Sequence, residues 1–250
     1  MESEEYNRDT NPYPSFGKKY NSERAIISLT SWTARINTVS KTLYSLLTQC
    51  PGFHIVLVLS EEEFPKMMDE LPENLKLFVD NELIEVLWVF RNYKSFKKVL
   101  FTMDKYRTVP VISADDDCIY TCNYAQELYD MWMKTDKNTI IAGYKNFVFN
   151  ELYLPNGCCS LFSPNVFKDL GIKLLNTKIL NTNNDDMYLG YLIKKLNMQI
   201  VYLNKNYIEM KLIEFHDEIE AMGATGKYSR GIDVLNILKN EIQTIDNNSK

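Results

Sequence analysis

The chain has 250 residues, of which 45% are hydrophobic, and it carries a formal net charge of −5. This length and composition allow a substantial buried core, whereas the negative charge argues against a general nucleic-acid binder. No apolar run approaches the roughly 20 residues that span a membrane, and the polar N-terminus lacks a signal-peptide pattern, so we expect a cytoplasmic protein. The five cysteines lack the paired spacing of a zinc site or a disulfide framework, so we expect free thiols.

Predicted strands and helices alternate in the first half of the chain. Residues 1–22 are polar and are predicted to be disordered. Short apolar runs rich in β-branched residues predict strands, and apolar residues at helical spacing predict helices. The predicted strands are 25–30, 54–59, 84–89 and 109–114, and the predicted helices are 38–50, 65–71 and 95–106. Such alternation indicates a mainly parallel sheet with helices on both faces.

The second half is less regular but continues the same pattern. We predict helices at 124–134, 164–170 and 183–196, and strands at 139–143, 157–163 and 199–203. No linker or internal repeat divides the chain, so we expect one α/β domain over residues 23–226. Residues 227–250 are predicted to form a helical tail that packs on the core, pairs with another subunit or lies at a membrane surface. The sequence does not indicate the oligomeric state.

Three consecutive carboxylates, Asp115, Asp116 and Asp117, follow the strand predicted at 109–114. Adjacent negative charges repel one another unless a cation lies among them. In an open α/β sheet, ligands bind at the carboxyl ends of the strands. An acidic turn or a helix cap is the alternative interpretation, although a single Asp would be enough for a cap. The triplet therefore favours Mg²⁺ or Mn²⁺ held together with a substrate diphosphate.

A second acidic pair and a run of lysines flank this triplet in the sequence. Asp185 and Asp186 begin a predicted helix, where they either cap it and complement its dipole or provide a general base toward an acceptor hydroxyl. Lys94, Lys97 and Lys98 open the helix before the triplet, either as a solvated face or as a diphosphate contact. Because neighbouring helix positions point about 100° apart, only one of Lys97 and Lys98 is expected to face such a ligand.

The polar segment 28–35 lacks the glycines of a Walker loop and of a Gly-x-Gly-x-x-Gly motif. Thr30, Ser31 and Arg35 in this segment are candidates for binding a nucleotide. The chain has two histidines. His54 opens a predicted strand and is expected to be structural, whereas His216 lies among carboxylates and is either an exposed histidine or a third metal ligand.

The order of these parts resembles the GT-A fold glycosyltransferases, in particular bacterial enzymes of the family 2-like kind. The resemblance covers residues 24–205. It rests on ISLTSWTARI at 27–36, on the two lysines ahead of VISADDDCIY at 111–120, and on NDDMYLG at 184–190. It implies a Rossmann-like GT-A domain that transfers a sugar from a nucleotide-sugar donor to a hydroxyl of a saccharide or glycolipid acceptor.

The resemblance also implies roles for the acidic residues. The triplet matches the DxD motif, in which Asp115 and Asp117 bind Mn²⁺ or Mg²⁺ and Asp115 and Asp116 contribute to the donor site. His216 occupies a position comparable to the histidine that completes the metal site of similar galactosyltransferases.

For the pair at the later helix, the resemblance implies that Asp186 is the base and that Asp185 orients the acceptor. Lys97 or Lys98 would then stabilise the leaving diphosphate. The family's acceptor loop usually carries small residues where this chain has Cys158 and Cys159 after Gly157. The acceptor is therefore left open.

The implied reaction is an inverting transfer from a UDP-sugar, and the expected setting is the synthesis of a surface polysaccharide at the cytoplasmic side of a membrane. Three alternatives stay open: a retaining transferase on the same fold, a nucleotidyltransferase that activates a sugar phosphate, and a catalytically silent carbohydrate- or nucleotide-binding module. The glycine-rich N-terminal loop typical of nucleotidyltransferases is absent from the sequence.

Overall fold

The computed structural model describes residues 15–17, 24–49, 51–136, 138–143, 148–149, 152–153, 155, 157–168, 170–212 and 231–248. Its strands are β1 (Ser15–Gly17), β2 (Ala25–Thr30), β3 (Phe53–Ser60), β4 (Glu85–Val89), β5 (Val111–Ser113), β6 (Cys118–Tyr120), β7 (Thr139–Ala142), β8 (Val148–Phe149), β9 (Leu152–Tyr153), β10 (Ser160–Phe162), β11 (Gln199–Tyr202) and β12 (Ile208–Lys211). Its α-helices are α1 (Val39–Leu47), α2 (Glu73–Asp80), α3 (Lys97–Lys105), α4 (Tyr124–Met133), α5 (Leu170–Lys173), α6 (Thr177–Leu180), α7 (Asp185–Lys195) and α8 (Gly231–Asn248). Two 3₁₀ turns cover Met67–Glu70 and Lys94–Phe96.

An eight-stranded sheet has the order β1-β4-β3-β2-β5-β10-β7-β11. Strands β4, β3, β2 and β5 run parallel to one another, and β7 runs parallel to β11. Strand β10 runs antiparallel between β5 and β7, and β1 pairs antiparallel with β4 at one edge. The predicted α/β class with a mainly parallel sheet is confirmed.

Both faces of the sheet are buried beneath helices. Ile27 and Leu29 of β2 pack in a core with residues of α1, α2 and α4, whereas Ile26 faces a second core with residues of α3, α7 and α8. Neighbouring residues of a strand point to opposite faces, so a strand covered on both sides has to be apolar throughout. This is why the continuous apolar runs in the sequence predict the central strands.

Helix α8 packs against α6 and α7 through its apolar side. Val234, Leu235, Leu238 and Ile242 are buried in the second core. Of the three positions that the sequence left open for the tail, the structure thus shows packing on the core. No helix in the described ranges combines the length and the apolar character needed to cross a membrane.

Three predicted elements differ from the structure. The helix predicted at 164–170 is wrong, because Asn165 and Lys168 have φ values of 49° and 48° and the chain turns there. The helix predicted at 65–71 is only the 3₁₀ turn Met67–Glu70, and α2, which follows Pro72, was not predicted. Strand β1 lies inside the segment for which the sequence predicts disorder.

Candidate active site

The acidic triplet forms the turn between β5 and β6, at the carboxyl edge of the parallel strands. Its three side chains differ in exposure, at 36% for Asp115, 8% for Asp116 and 18% for Asp117. The outer two carboxylates are therefore open to a ligand, whereas the middle one points into the protein.

Asp116 is anchored by groups from the segment that follows β2. Ser31 Oγ donates to Asp116 Oδ2 at 2.6 Å, and Arg35 Nη1 donates to Asp116 Oδ1 at 2.7 Å. The same Arg35 nitrogen lies 3.1 Å from Asp117 Oδ2. Burial raises the pKa of Asp116 to about 6, although Arg35 and Ser31 oppose the rise. The middle carboxylate therefore holds the turn in place.

Thr30, Ser31 and Arg35 were predicted to bind the donor nucleotide. The Thr30 hydroxyl donates to the Val58 carbonyl oxygen at 2.7 Å, so it ties β2 to β3. Ser31 and Arg35 contact Asp116 as described above. The structure thus places the Ser31 and Arg35 side chains beside the triplet, where they shape the turn, whereas the Thr30 side chain is directed to β3.

Lys98 connects the triplet to the second acidic pair. Its buried ammonium lies 2.6 Å from Asp115 Oδ1 and 3.4 Å from Asp185 Oδ2. Burial lowers the pKa of Lys98, but Asp115 and Asp185 more than offset this and hold its pKa well above the ordinary value. Burial likewise raises the pKa of Asp115, and Lys98 outweighs this, so that its pKa lies below the usual value. Both groups stay charged.

Lys97 points in a different direction from Lys98. Its Nζ lies 3.4 Å from Glu63 Oε2, and Glu63 also accepts a hydrogen bond of 2.7 Å from Ser60 Oγ at the end of β3. Lys94 is turned toward α6, where its Nζ donates to the Leu180 carbonyl oxygen at 2.9 Å. Of the two neighbouring lysines, Lys98 contacts the triplet and Lys97 contacts Glu63, as the angle between neighbouring helix positions leads one to expect.

Neither Asp185 nor Asp186 caps helix α7. The N-cap is Asn184, whose side-chain oxygen accepts from the Met187 backbone N–H at 3.1 Å. Asp185 Oδ1 instead accepts from Ser95 Oγ at 2.9 Å. Since the cap is supplied by Asn184, both carboxyl groups are free to serve another purpose.

Asp186 has an unusual environment for a carboxyl group. Its Oδ1 atom is buried and has no hydrogen-bond partner among the described residues. Burial raises the pKa of Asp186 well above its usual range, and Asp185 raises it further, whereas Lys98 and a hydrogen bond from the Gly157 backbone lower it. A Cβ atom on Gly157 would lie 2.6 Å from Asp186 Oδ1. The absence of a side chain at position 157 therefore lets Asp186 occupy its place.

Two tyrosines link the triplet to the turn at 157–159. The Tyr120 hydroxyl accepts from the Asp115 backbone N–H at 2.8 Å and donates to the Cys158 carbonyl oxygen at 3.1 Å. The Tyr124 ring stacks on Tyr120 at a centroid distance of 4.6 Å, and its hydroxyl donates to the Ser113 carbonyl oxygen. The sequence patterns predict no such role for Tyr120 or Gly157, because the hydrogen bond from Tyr120 to Cys158 spans 38 positions and Gly157 meets Asp186 only through the tertiary fold.

Lys211 of β12 is a further basic residue near the triplet. Burial raises the pKa of Asp115, Lys98 lowers it most strongly, and Lys211 lowers it further. Arg35, Lys98 and Lys211 together supply positive charge around the carboxylates. These protein groups thus offset part of the repulsion among the carboxylates.

Within the described residues, a divalent metal ion would be held jointly by the protein and a bound substrate. Within the described residues, no group of three or more His, Cys, Asp and Glu side chains is arranged to hold a metal ion. His216, the predicted third ligand, lies outside the described residues. Asp115 and Asp117 nevertheless present two accessible carboxylates, and Mg²⁺ is commonly held by one or two carboxylates plus substrate phosphates. These two carboxylates suit a metal ion whose other ligands are oxygens of a bound diphosphate.

No protein-family model matches the sequence, and a search of curated proteins finds no similar protein. Among the solved structures that resemble the fold are two that are each 11% identical in sequence to this chain. TarS from S. aureus matches with a TM-score of 0.50 over 74% of this chain and 59% of its own. The mannosyltransferase PcManGT from Pyrobaculum calidifontis, in complex with GDP-Man and Mn²⁺, matches with a TM-score of 0.57 over 84% of this chain and 63% of its own.

The chain therefore spans about three fifths of the length of these two solved chains, at 59% and 63%. At such low identity the likeness concerns the fold alone. It confirms the predicted GT-A, Rossmann-like architecture in a single domain.

Proposed function

We propose that this chain is a metal-dependent glycosyltransferase that moves a sugar from a nucleotide-sugar donor to a hydroxyl of a saccharide or glycolipid acceptor. The observation that carries the proposal is the meeting of Asp115, Lys98 and the Asp185–Asp186 pair at the carboxyl edge of the sheet. This edge is where α/β sheets bind their ligands. The fold shared with a mannosyltransferase supports the same reaction class.

On the donor side, Asp115 and Asp117 are the proposed ligands of Mn²⁺ or Mg²⁺, and His216 is the proposed third ligand. When bound, the metal would supply Lewis-acid stabilisation of the leaving diphosphate. The proposed donor is a UDP-sugar. GDP-mannose is the alternative donor to test, because PcManGT is in complex with GDP-Man. The positive charges of Lys98 and Arg35 favour an anionic donor at the same edge.

On the acceptor side, Asp186 is the proposed general base. Its Oδ1 atom has no hydrogen-bond partner among the described residues, which leaves it available for the proton of an acceptor hydroxyl. The acceptor oxygen then bonds to the anomeric carbon, the bond from that carbon to the phosphate oxygen breaks, and the proton stays on Asp186. Attack opposite the leaving diphosphate inverts the anomeric configuration. Asp185, fixed by Ser95 and Lys98, orients the acceptor, for which we propose a surface polysaccharide.

A panel of UDP- and GDP-sugars, each with Mn²⁺ and a set of saccharide acceptors, tests the proposal through release of the nucleoside diphosphate. We expect turnover with at least one donor, and Asp117→Ala should lower it by about 100-fold or more because a charge-stabilising group is lost. Asp80→Ala, at an exposed position on α2, is the matched control and should leave turnover unchanged.

Two outcomes would contradict parts of this account. Nucleotide binding by calorimetry without release of UDP or GDP from any donor would indicate a silent binding module. Retention of the anomeric configuration, determined by NMR of the product, would remove the need for a base at Asp186.

A further inference from the structure

Lys98 holds together the two sides of the proposed site. Its ammonium contacts Asp115 in the turn after β5 and lies near Asp185 at the start of α7, with 5% of its side chain exposed. Helix α3 is fixed to the sheet at the same residue, because Ser28 Oγ of β2 donates to the Lys98 carbonyl oxygen at 2.5 Å. The lysine side chain therefore reaches two carboxylates from a rigid base.

The two contacts of Lys98 are unequal. The distance of 2.6 Å to Asp115 Oδ1 is that of a close ion pair, whereas 3.4 Å to Asp185 Oδ2 is longer than a hydrogen bond between charged groups. Asp185 Oδ2 is also buried and has no hydrogen-bond partner within the described ranges. A displacement of the ammonium by roughly half an ångström toward Asp185 would complete a charge-assisted hydrogen bond of ordinary length there.

A divalent cation that uses Asp115 as a ligand meets Lys98 at the same carboxylate. Two positive charges in contact with one carboxylate repel each other strongly at a site shielded from water. The ammonium cannot swing out into solvent, because the Lys98 side chain is buried. The second carboxylate, Asp185, is the group to which the ammonium can move and hydrogen-bond.

We propose that Lys98 is a positioning residue that competes with the divalent metal for Asp115 and moves to Asp185 when the metal and the diphosphate bind. This inference rests on the proposed function, in which Asp115 is a metal ligand. The free protein then binds metal weakly, and occupation of the donor site changes the surroundings of the acceptor-side pair. The coupling is reciprocal, because each binding event alters the other by the same factor.

Mn²⁺ binding to the full chain without nucleotide, followed by the electron paramagnetic resonance of free Mn²⁺, tests this competition. Lys98→Met keeps the length of the stem and removes the charge, so it should bind Mn²⁺ roughly tenfold more tightly than the wild type. Lys98→Gln, which keeps a polar end, should do the same and serves if the methionine variant does not fold. Lys105→Met is the matched control, since Lys105 pairs with Glu85 from the far end of the same helix, and it should leave the Mn²⁺ affinity unchanged.

A double-mutant cycle separates competition from a general charge effect. Asp185→Asn removes the carboxylate to which the Lys98 ammonium would move. In the protein that keeps Lys98, it should therefore weaken Mn²⁺ binding about fivefold. In the Lys98→Met background the same substitution should change the affinity much less, whereas long-range attraction alone would give equal effects in both.

Unchanged or weaker Mn²⁺ binding by both Lys98 variants would overturn the proposal. If wild-type protein binds Mn²⁺ together with UDP or GDP and Asp117→Ala abolishes this binding, that result would leave the proposed function standing. If no variant binds Mn²⁺ with or without nucleotide, the metal role of the triplet fails and the inference fails with it.

Discussion

Two buried clusters of charge lie at opposite ends of the parallel strands, and they differ in how well their atoms are satisfied. At the amino end, Glu85 accepts from His54 Nε2 at 2.9 Å, from Lys105 Nζ at 2.8 Å and from the Tyr106 hydroxyl. Burial alone raises the pKa of Glu85, but these three hydrogen bonds lower it below the ordinary value. His54 thus has the structural role that its position in the sequence predicts.

At the carboxyl end, one oxygen of Asp185 and one of Asp186 are buried without a hydrogen-bond partner in the part of the chain that the structure describes. The pKa of Asp186 is raised, in contrast to that of Glu85. Buried polar groups in native proteins are nearly always paired, so two such oxygens on neighbouring residues, at the edge where α/β sheets bind ligands, favour a ligand there. The comparison indicates that the amino-end cluster stabilises the fold, whereas the carboxyl-end cluster is arranged for binding and chemistry.

The largest effect on stability is expected at the amino-end cluster. Glu85→Gln should lower the free energy of unfolding by about 3 kcal/mol, because removing one partner of a buried ion pair leaves the others uncompensated. Urea unfolding measures this loss, and Glu70→Gln at an exposed position is the control that should stay near wild type. A Glu85→Gln protein as stable as the wild type would show that this cluster does not hold the fold.

The next effect concerns turnover and arises at Gly157. Gly157→Ala should lower kcat by about 10- to 100-fold, since its Cβ would displace Asp186, and misplacement of a reacting group by an ångström is that costly. Gly171→Ala is the matched control, because its Cβ would meet Leu100 at 2.8 Å, away from the carboxylates. The control should lose stability and keep its kcat. Equal loss of kcat in both variants would argue against a special role for position 157.

A smaller effect is expected in the pH dependence of stability. Asp116 has a pKa of about 6 in the folded protein, whereas an unperturbed Asp titrates near about 4. The folded state therefore binds this proton more tightly than the unfolded chain. The contribution of Asp116 to the free energy of unfolding falls as the pH rises from about 4 to about 6, by about 3 kcal/mol in total.

Asp116→Asn should remove this contribution. Urea unfolding of the metal-free proteins between pH 4 and pH 7 should show the variant gaining stability relative to wild type as the pH rises. Parallel curves for the two proteins would mean that the Asp116 carboxyl titrates as an ordinary one.

The smallest effects are expected for two buried tyrosines, one at each end of the strands. Tyr120→Phe and Tyr106→Phe each remove one hydroxyl, and each should cost about 1 kcal/mol of stability. Only Tyr120→Phe should also reduce kcat, by about threefold to tenfold, because its hydroxyl joins the Asp115 backbone to Cys158. Steady-state kinetics beside thermal unfolding compares the two, and a similar fall in kcat for Tyr106→Phe would erase the distinction between the ends.

Local patterns in the sequence were enough for the central strands and for the place of the acidic residues. Strand β2 has the predicted bounds, Ala25–Thr30, because a strand buried on both faces must be apolar throughout. The carboxyl ends of parallel strands share one edge, which is where the sequence predicts the triplet, whereas the roles of Lys98 and the start of α7 beside it were implied by the resemblance.

What the sequence could not provide is which polar groups pair across the fold. Arg35 contacts Asp116 over 81 positions in the chain, and Ser95 contacts Asp185 over 90. Such contacts depend on tertiary packing, which no local period encodes. Helix α2 is different, since Leu75, Phe78 and Val79 lie at helical spacing after Pro72 and were available as a signal.

Positive φ angles were equally inaccessible to sequence reasoning. Lys168 adopts a left-handed conformation, which a lysine rarely does, and this turn prevents the helix that the apolar pattern at 164–170 predicts. A predicted helix is thus overridden by backbone geometry that tertiary contacts impose.

The central claim is that Asp186, whose Oδ1 atom has no hydrogen-bond partner among the described residues, removes the acceptor proton. Its most direct test is Asp186→Asn, with sugar transfer and nucleoside-diphosphate binding measured on the same preparation. We expect kcat to fall by about 100- to 10,000-fold, as the loss of a general base does, with binding of the nucleotide and Mn²⁺ unchanged. Transfer at a near-normal rate by Asp186→Asn would contradict the account.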